Sequence, residues 1–204
     1  MSDFSKKYGQ GFNFKVTDFE ADENTNMEIR TIEVGGFMSM FCSLRMPYGK
    51  TPRVTGMCDF FFENDTMNYG ALVVPDAKDI ELAQTLIKRG DEHAKPLRGI
   101  IVWARITAPL YLFTELETYT VGHQRLFSES TMNEECRGLQ GEELQEAKRA
   151  ISFGRVISKV DCFSYQTLRR ICIQRANHRL PEWHQFIDWV HTLPLAEELI
   201  FVGL

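Results

Sequence analysis

The segment MEIRTIEVGG, residues 27–36, alternates side chains with a period of two. Ile29 and Thr31 fall on one side of an extended chain, whereas Arg30 and Ile32 fall on the other. This period is typical of a β-strand, and the pair Gly35-Gly36 marks its end. The segment LRGIIVWARITAP, residues 97–109, shows the same alternation and predicts a second strand, with its inward side chains at Ile100, Val102, Ala104 and Ile106.

Other segments carry helical signals. FMSMFCSLRM, residues 37–46, is apolar enough for a buried helix that Pro47 would stop. Asp79 can cap a helix that ends at Gly90, and Pro109 is suited to the first position of the next helix, LYLFTELETYT. A charged amphipathic helix follows over Glu142–Ala150.

The strongest helical patterns lie near the C-terminus. Ser164 can cap the segment YQTLRRICIQRANH, in which four residues form one stripe: Leu168, Ile171, Cys172 and Arg175. Pro181 opens a last long helix whose inward side chains are Trp183, Phe186, Ile187 and Val190. The pattern predicts an α+β fold with few strands and a helix-rich second half.

We predict a polar leader over residues 1–26, either a loose segment or an added strand, and a single domain over residues 27–204. Within the domain, residues 48–75 are rich in Gly, Asn and Asp and predict a long loop or a hairpin insertion. The net charge of −5 argues against a general affinity for nucleic acid. No run approaches the roughly 18 apolar residues of a membrane span.

The five cysteines have no CxxC spacing, and the N-terminal residues have no apolar core of the kind a secretory signal needs. We therefore predict a cytoplasmic protein with reduced thiols and without a metal site.

The polar stretch TVGHQRLFSESTMN, residues 120–133, is the first candidate site. Ser128 and His123 are five residues apart, but no acid is placed by spacing to orient them, and no GxSxG surrounds either serine. Neither GxxxxGK[ST] nor a GxGxxG after a strand is present. The residues alone leave open an active site, a polar binding pocket and a solvated loop.

A second candidate is the arginine pair of the helix after Ser164. Arg175 starts from a core-facing direction, and Arg170 lies about 140° around the helix, so their guanidinium groups can meet only at a groove edge. Such a pair suits phosphate or carboxylate, because each guanidinium fork binds two oxygens. The alternative is that both arginines pair with acids of this acidic chain.

The order of these segments resembles the flavin-dependent thymidylate synthases, the ThyX family, over residues 27–192. In that family the motif RHRxxSxNExSxRY builds a shared flavin and dUMP site, and a later helix carries a dUMP-binding arginine before an AQWEIR-like stretch. Arg175, followed by Trp183, resembles that arginine. His93 resembles a histidine that members carry before the strand leading to the motif.

The motif itself is eroded. If Ser128 takes the first motif serine, the RHR positions read His123, Gln124 and Arg125, and Asn133 takes the second serine. If Ser130 takes the second serine, RHR falls on residues 120–122. Neither register keeps both outer arginines, so phosphate contacts should weaken, by about 1.5–3 kcal/mol for each lost charge-assisted pair.

The chain also resembles short ThyX-like proteins of bacterial viruses, in which three stretches recur: LIKxGxEHxKxLR, ITAPLYxxxExxTYxxG and QRxNHRLPEWxxFxxW. This resemblance implies a viral, nucleotide-binding protein of ThyX-like fold, with a small, mainly antiparallel sheet and long helices and without the full synthase reaction. The ligand could be a sequestered nucleotide signal of host immunity. The alternatives are an active synthase that methylates dUMP and a structural or protein-interaction module.

The roles follow from the resemblance. Residues assigned to the nucleotide are Arg175, Arg170, Ser128, Ser130, Thr131 and Asn133; residues assigned to the flavin side are His93, His123 and Arg125. We expect no cofactor, or FAD if the synthase alternative holds, and no catalytic residue is assigned. The family is a homotetramer, so self-association is implied, with the helix 37–46 as a contact. Arg175→Ala should abolish ligand binding and leave the thermal melt nearly unchanged.

Overall fold

A computed structural model describes residues 12–14, 25–49, 61–63, 66–71, 77–130, 132 and 136–204. Its main sheet has four antiparallel strands in the order β2-β5-β7-β6. The bounds are β2 Glu28–Gly35, β5 Ile101–Pro109, β6 His123–Ser128 and β7 Val156–Ser164. A second sheet has the order β1-β4-β3, with β1 Phe12–Phe14, β3 Phe61–Glu63 and β4 Thr66–Ala71.

The helices confirm most of the predicted segments. They are α1 Phe37–Arg45, α2 Ala77–Lys88, α3 Leu110–Leu116, α4 Gly141–Ala150, α5 Tyr165–Arg175, α6 Pro181–His191 and α7 Ala196–Leu199. Short 3-10 turns cover Met46–Tyr48 and Lys95–Gly99. The hairpin β3-β4 confirms the hairpin alternative for part of residues 48–75, and the rest of that stretch lies outside the described residues.

One side of the main sheet forms the core with the apolar sides of α1, α2, α5 and α6. The predicted inward residues of β5 are fully buried, as Val102, Ala104 and Ile106 show. Behind them, Phe163 of β7 contacts Phe186 and Trp189 edge-to-face, with ring centroids 5.9 and 6.4 Å apart. This aromatic layer fixes α6 against the sheet and positions the N-terminus of that helix beside α3.

Three local predictions were wrong. Asp79 does not cap α2; it is buried within the first turn, where Arg45 binds its carboxylate. Pro109 ends β5 with an extended backbone, and α3 begins one residue later. Residues 120–133 are not a loop throughout, because His123–Ser128 pairs with β7 as an edge strand.

The helix 37–46 was predicted as a subunit contact. In α1 the side chains of Phe37, Met40, Phe41 and Leu44 are buried in the core of one chain. These four residues are therefore used inside the protomer, and only flanking side chains such as Met46, which is 74% exposed, remain for another surface.

Candidate functional site

The last turn of α3 holds Arg175 in place. Arg175 Nη1 lies 2.8 Å from Glu115 Oε2, and Arg175 Nε donates to the Tyr119 hydroxyl at 2.9 Å. The guanidinium carbon lies 4.6 Å from the centre of the Trp183 ring, a cation–π distance. Together with His178, these residues are called the Arg175 cluster below.

The position of the Arg175 cluster follows from the α5 stripe. Leu168, Ile171 and Cys172 are buried, and this anchoring turns Arg175 inward until its side chain is only 17% exposed. A guanidinium that loses water needs a partner, and Glu115 supplies the charge. The acid-pairing alternative of the sequence therefore describes Arg175 in this protomer.

Glu117, two residues after Glu115, binds two other cationic side chains. Its Oε1 accepts hydrogen bonds from Lys159 Nζ at 2.7 Å and from Arg125 Nη1 at 2.5 Å. Burial raises the pKa of this carboxyl, but the hydrogen bond and charge of Lys159, with the charge of Arg125, outweigh burial and lower it overall. Arg125, assigned to the flavin side, is thus already ion-paired.

His123 is buried at the start of β6. Its ring stacks on Phe163 at 4.6 Å, and its Nε2 lies 3.1 Å from Asp161 Oδ1. Asp161 is the acid that spacing could not place beside His123, because it lies on β7, a strand the sequence pattern did not predict. The arrangement is a buried His–Asp pair rather than a Ser–His–Asp triad, since Ser128 Oγ donates to the carbonyl oxygen of Glu129.

Ser128 and Ser130, the two predicted site serines, line one cavity on the side of the main sheet opposite the core. The cavity has a volume of about 580 Å³ and is lined by Arg105, Phe127, Ser128, Glu129, Ser130, Ser158, Lys159 and Val160. It is called the Arg105 cavity below. Of these residues, Lys159 directs its ammonium away, to Glu117 and to the ring of Phe113.

Arg105 is the cation that sequence reasoning missed. Its guanidinium is exposed and donates to Ser158 Oγ at 3.4 Å, and among the described residues no carboxylate lies within ion-pair distance. The signal was present in the alternation of β5, because the residues flanking Arg105 face the core. Its serine neighbours could not be anticipated without the pairing of β5 with β7.

Glu129 shapes the mouth of the Arg105 cavity. Its backbone N–H donates to the carbonyl of Ser158 at 2.8 Å, and its Oε2 accepts the backbone N–H of Ser158 at 3.0 Å. Ser130 Oγ accepts the N–H of Met132 at 3.1 Å. The bonds of Glu129 join the end of β6 to β7 and direct one oxygen of its carboxylate to the backbone of Ser158.

The remaining predicted residues lie elsewhere. Arg170 pairs with Asp91 at 3.0 Å on the surface, and His93 lines a separate cavity of about 680 Å³. Thr131 and Asn133 lie outside the described residues. Within one protomer, the described lining of the Arg105 cavity includes neither Arg170 nor Arg175.

The residues just before β6 are bound to the first turn of α5. The Ser164 N–H donates to the carbonyl of Gly122 at 2.7 Å, and Thr167 Oγ1 donates to the carbonyl of Val121 at 2.7 Å. Ser164 also caps α5, as predicted, by accepting the N–H of Thr167. Gly122 has φ +76°, and a Cβ there would lie 2.4 Å from Thr167 Oγ1. Glycine is therefore required at this contact.

Other chemistry has little support within the described ranges. They contain no group of three or more His, Cys, Asp or Glu side chains that could hold a metal ion. The cysteines described there, Cys42, Cys136, Cys162 and Cys172, are free thiols. Burial raises the pKa of the Cys172 thiol to about 12. In the described parts of the chain, no helix is both long and apolar enough to cross a membrane.

Comparison with known proteins gives a match at the level of structure. No protein-family model and no curated protein sequence matches the chain. Two solved structures of flavin-dependent thymidylate synthase ThyX from Helicobacter pylori, both with FAD and dUMP, are similar. Their TM-scores are 0.58 and 0.61 at 12% and 14% identity, covering 84% and 85% of this chain and 97% of each synthase chain. The chain has a ThyX-like fold.

Proposed function

We propose that this protein binds a nucleotide in the Arg105 cavity and does not carry out the complete synthase reaction. The observation that carries the proposal is the exposed Arg105 guanidinium, which has no carboxylate partner in the described residues and stands among serine hydroxyls. A guanidinium fork binds a phosphate through two parallel hydrogen bonds.

The other residues that line the cavity suit the remaining parts of a nucleotide. Phe127 is 73% exposed at its rim and offers an aromatic face for a base. Glu129 can accept hydrogen bonds from ribose hydroxyls, as acidic residues do in dinucleotide sites. Ser128 and Ser130 contribute short hydroxyl contacts, and Thr131 and Asn133, which lie outside the described residues, are proposed as further ligand-binding residues.

Arg175 and Arg170 are proposed as further anchors. Both are engaged by acids in the protomer, so a phosphate would have to compete with Glu115 or Asp91. A second subunit could bring one of them to the Arg105 cavity, and we propose a homo-oligomer, a tetramer by resemblance to the family.

The absence of full turnover is proposed from the flavin side. Arg125 is paired with Glu117 and His123 with Asp161, so two groups assigned to flavin phosphates are occupied by carboxylates. A site whose guanidinium and imidazole groups already contact carboxylates fits a polyanionic cofactor poorly. Binding without turnover would sequester the nucleotide, and in the bacterial-virus setting implied by the resemblance the ligand would be a host immune signal.

Calorimetry with mono-, di- and cyclic nucleotides at micromolar protein tests the proposal. Arg105→Gln should weaken binding about tenfold, because one charge-assisted contact is lost. The matched control is Arg149→Gln, which removes an exposed arginine of α4 and should leave affinity unchanged. Absence of heat with every nucleotide tested would refute nucleotide binding and favour a structural or protein-interaction module.

The second candidate is an active flavin-dependent synthase that methylates dUMP. Its support is the likeness in fold to two synthase structures that contain FAD and dUMP. A bound flavin would supply the hydride, and this candidate requires Arg125 and His123 to exchange their contacts with Glu117 and Asp161 for contacts with the cofactor. Purified protein that is yellow, or that takes up added FAD, would support this candidate; colourless protein that takes up none would count against it.

A further inference from the structure

One oxygen of the Glu115 carboxylate lies close to nitrogen atoms of three other side chains. This oxygen, Oε2, lies 2.8 Å from Arg175 Nη1, 3.0 Å from Trp183 Nε1 and 3.5 Å from His178 Nε2. A guanidinium, an indole N–H and an imidazole nitrogen thus converge on a single oxygen atom. The same set of donors would bind an oxygen of a phosphate.

The donors are fixed more firmly than the acceptor. Trp183 is fully buried, and Arg175 is held over its ring and by the Tyr119 hydroxyl, with 17% of its side chain exposed. Glu115 is 33% exposed and stands in the last turn of α3, at the solvent side of the cluster. The carboxylate can therefore leave by a side-chain rotation while the donors stay in place.

We propose that Arg175, Trp183 and His178 form an oxyanion site whose present occupant is Glu115, and that this residue determines which ligands the site admits. With Glu115 in place, the pair carries no net charge, and an incoming phosphate meets a like charge. Without that charge, the Arg175 guanidinium attracts a phosphate and the indole N–H completes its binding.

This inference deepens the proposed function, since it concerns Arg175 as a second anchor for a nucleotide phosphate. It does not depend on the Arg105 cavity, because inorganic phosphate alone can probe the site. Nucleotide binding to the unaltered protein and phosphate binding to a Glu115 variant are separate measurements, so either can fail while the other succeeds.

The test is a phosphate titration followed by calorimetry and by the indole N–H signal of Trp183 in NMR. Glu115→Gln removes the charge and keeps an oxygen that can accept from Trp183. We expect this variant to bind phosphate about tenfold more tightly than the unaltered protein, the effect of one charge-assisted contact. The double variant Glu115→Gln with Arg175→Gln should lose the whole gain.

Two further variants keep the test decisive. Glu146→Gln, an exposed residue of α4, makes the same charge change away from the cluster and should bind phosphate no better than the unaltered protein. If Glu115→Gln does not fold, Glu115→Ala removes the same charge together with the whole carboxylate and should show a similar gain. No gain in the folded variant, or a gain that survives the loss of Arg175, would overturn the proposal.

Discussion

The Arg175 cluster and the Arg105 cavity show the same side chain in two opposite situations. Arg175 is 17% exposed, ion-paired with Glu115 and packed on an aromatic ring. Arg105 is exposed, and its one hydrogen bond to a described residue is a long contact with a serine. The positive charge of Arg175 is already paired with a carboxylate. The positive charge of Arg105 has no such partner among the described residues and is accessible to a ligand.

The difference comes from the element that carries each residue. The apolar stripe of α5 draws Arg175 out of water, and a desolvated guanidinium is stable only beside a carboxylate. Arg105 sits on the open side of β5, where water solvates it and no acid is needed. In this protomer the charge of Arg175 is therefore satisfied by Glu115, whereas the charge of Arg105 faces water.

Gly122→Ala should have the largest effect, because it breaks the contact between the start of β6, the strand that leads to the Arg105 cavity, and the start of α5, the helix that carries Arg175. The new methyl group would lie 2.4 Å from Thr167 Oγ1 and 2.6 Å from Ser164 Oγ, at φ +76°. We expect a loss of about 3 kcal/mol in the free energy of unfolding, measured by chemical denaturation. Gly154→Ala is the control, since its nearest neighbour lies 3.6 Å away. Equal losses in both variants would show that the junction is not a special constraint.

Arg175→Ala sharpens the comparison directly. It removes the ion pair with Glu115 and the packing on Trp183, and it leaves a partly buried carboxylate without its main partner. We expect a loss of about 2 kcal/mol in unfolding free energy, against about 0.5 kcal/mol for Arg170→Ala at its exposed pair. This reverses the expectation from sequence that the melt stays nearly unchanged. An unchanged melt with binding lost would restore the sequence-based role.

The sequence predicted those elements in which buried apolar residues recur with a regular helical or strand period. α5, α6 and β5 could be located because apolar residues repeat along them without interruption. β7 could not, because Lys159 and Asp161 occupy core-facing positions and break its alternation. Lys159 is tolerated inside because it pairs with Glu117, and one oxygen of Asp161 lies 3.1 Å from the ring nitrogen of His123. Both partners are remote in sequence.

The candidate site was predicted less well for the same reason. The sequence singled out Ser128 and Ser130, which line one cavity, and it did not single out Arg105, the cation that lines the same cavity. Arg105 joins them only through the pairing of β5 with β7 and of β7 with β6, which no local spacing reveals. Spacing along α5 predicted the direction of the Arg175 side chain, but it could not show that Glu115 of α3 pairs with it.

Phe127→Ala tests whether the Arg105 cavity holds a base. Phe127 is 73% exposed, so the substitution should change unfolding free energy by less than about 0.5 kcal/mol. Loss of a stacked base should weaken nucleotide binding by about 1 kcal/mol, roughly fivefold, in calorimetry. Leu126→Ala removes the neighbouring exposed side chain, 53% exposed, and serves as the control. If both variants lose affinity alike, the contact is general apolar burial and not stacking.

The smallest expected effect concerns Glu117, whose carboxylate pairs with Lys159 and Arg125. Its pKa lies below the ordinary glutamate value of 4.5, because Lys159 and Arg125 outweigh the effect of burial. A lowered pKa in the folded state stabilises the fold at pH values above 4.5, and this stabilisation is lost as pH falls through the folded-state pKa.

Glu117→Gln should therefore lower the unfolding free energy at neutral pH by only about 0.5 kcal/mol, since the side chain is 39% exposed and water screens the pair. The difference from the unaltered protein should shrink as the pH is lowered below 4.5, where the unaltered carboxyl takes up its proton. Denaturation curves between neutral and acid pH measure this, with Glu146→Gln as a solvent-exposed control. A difference that grows towards acid pH would mean that the effect of burial on the pKa of Glu117 outweighs that of its ion pairs. Lys159 and Arg125 would then be as accessible to a ligand as Arg105.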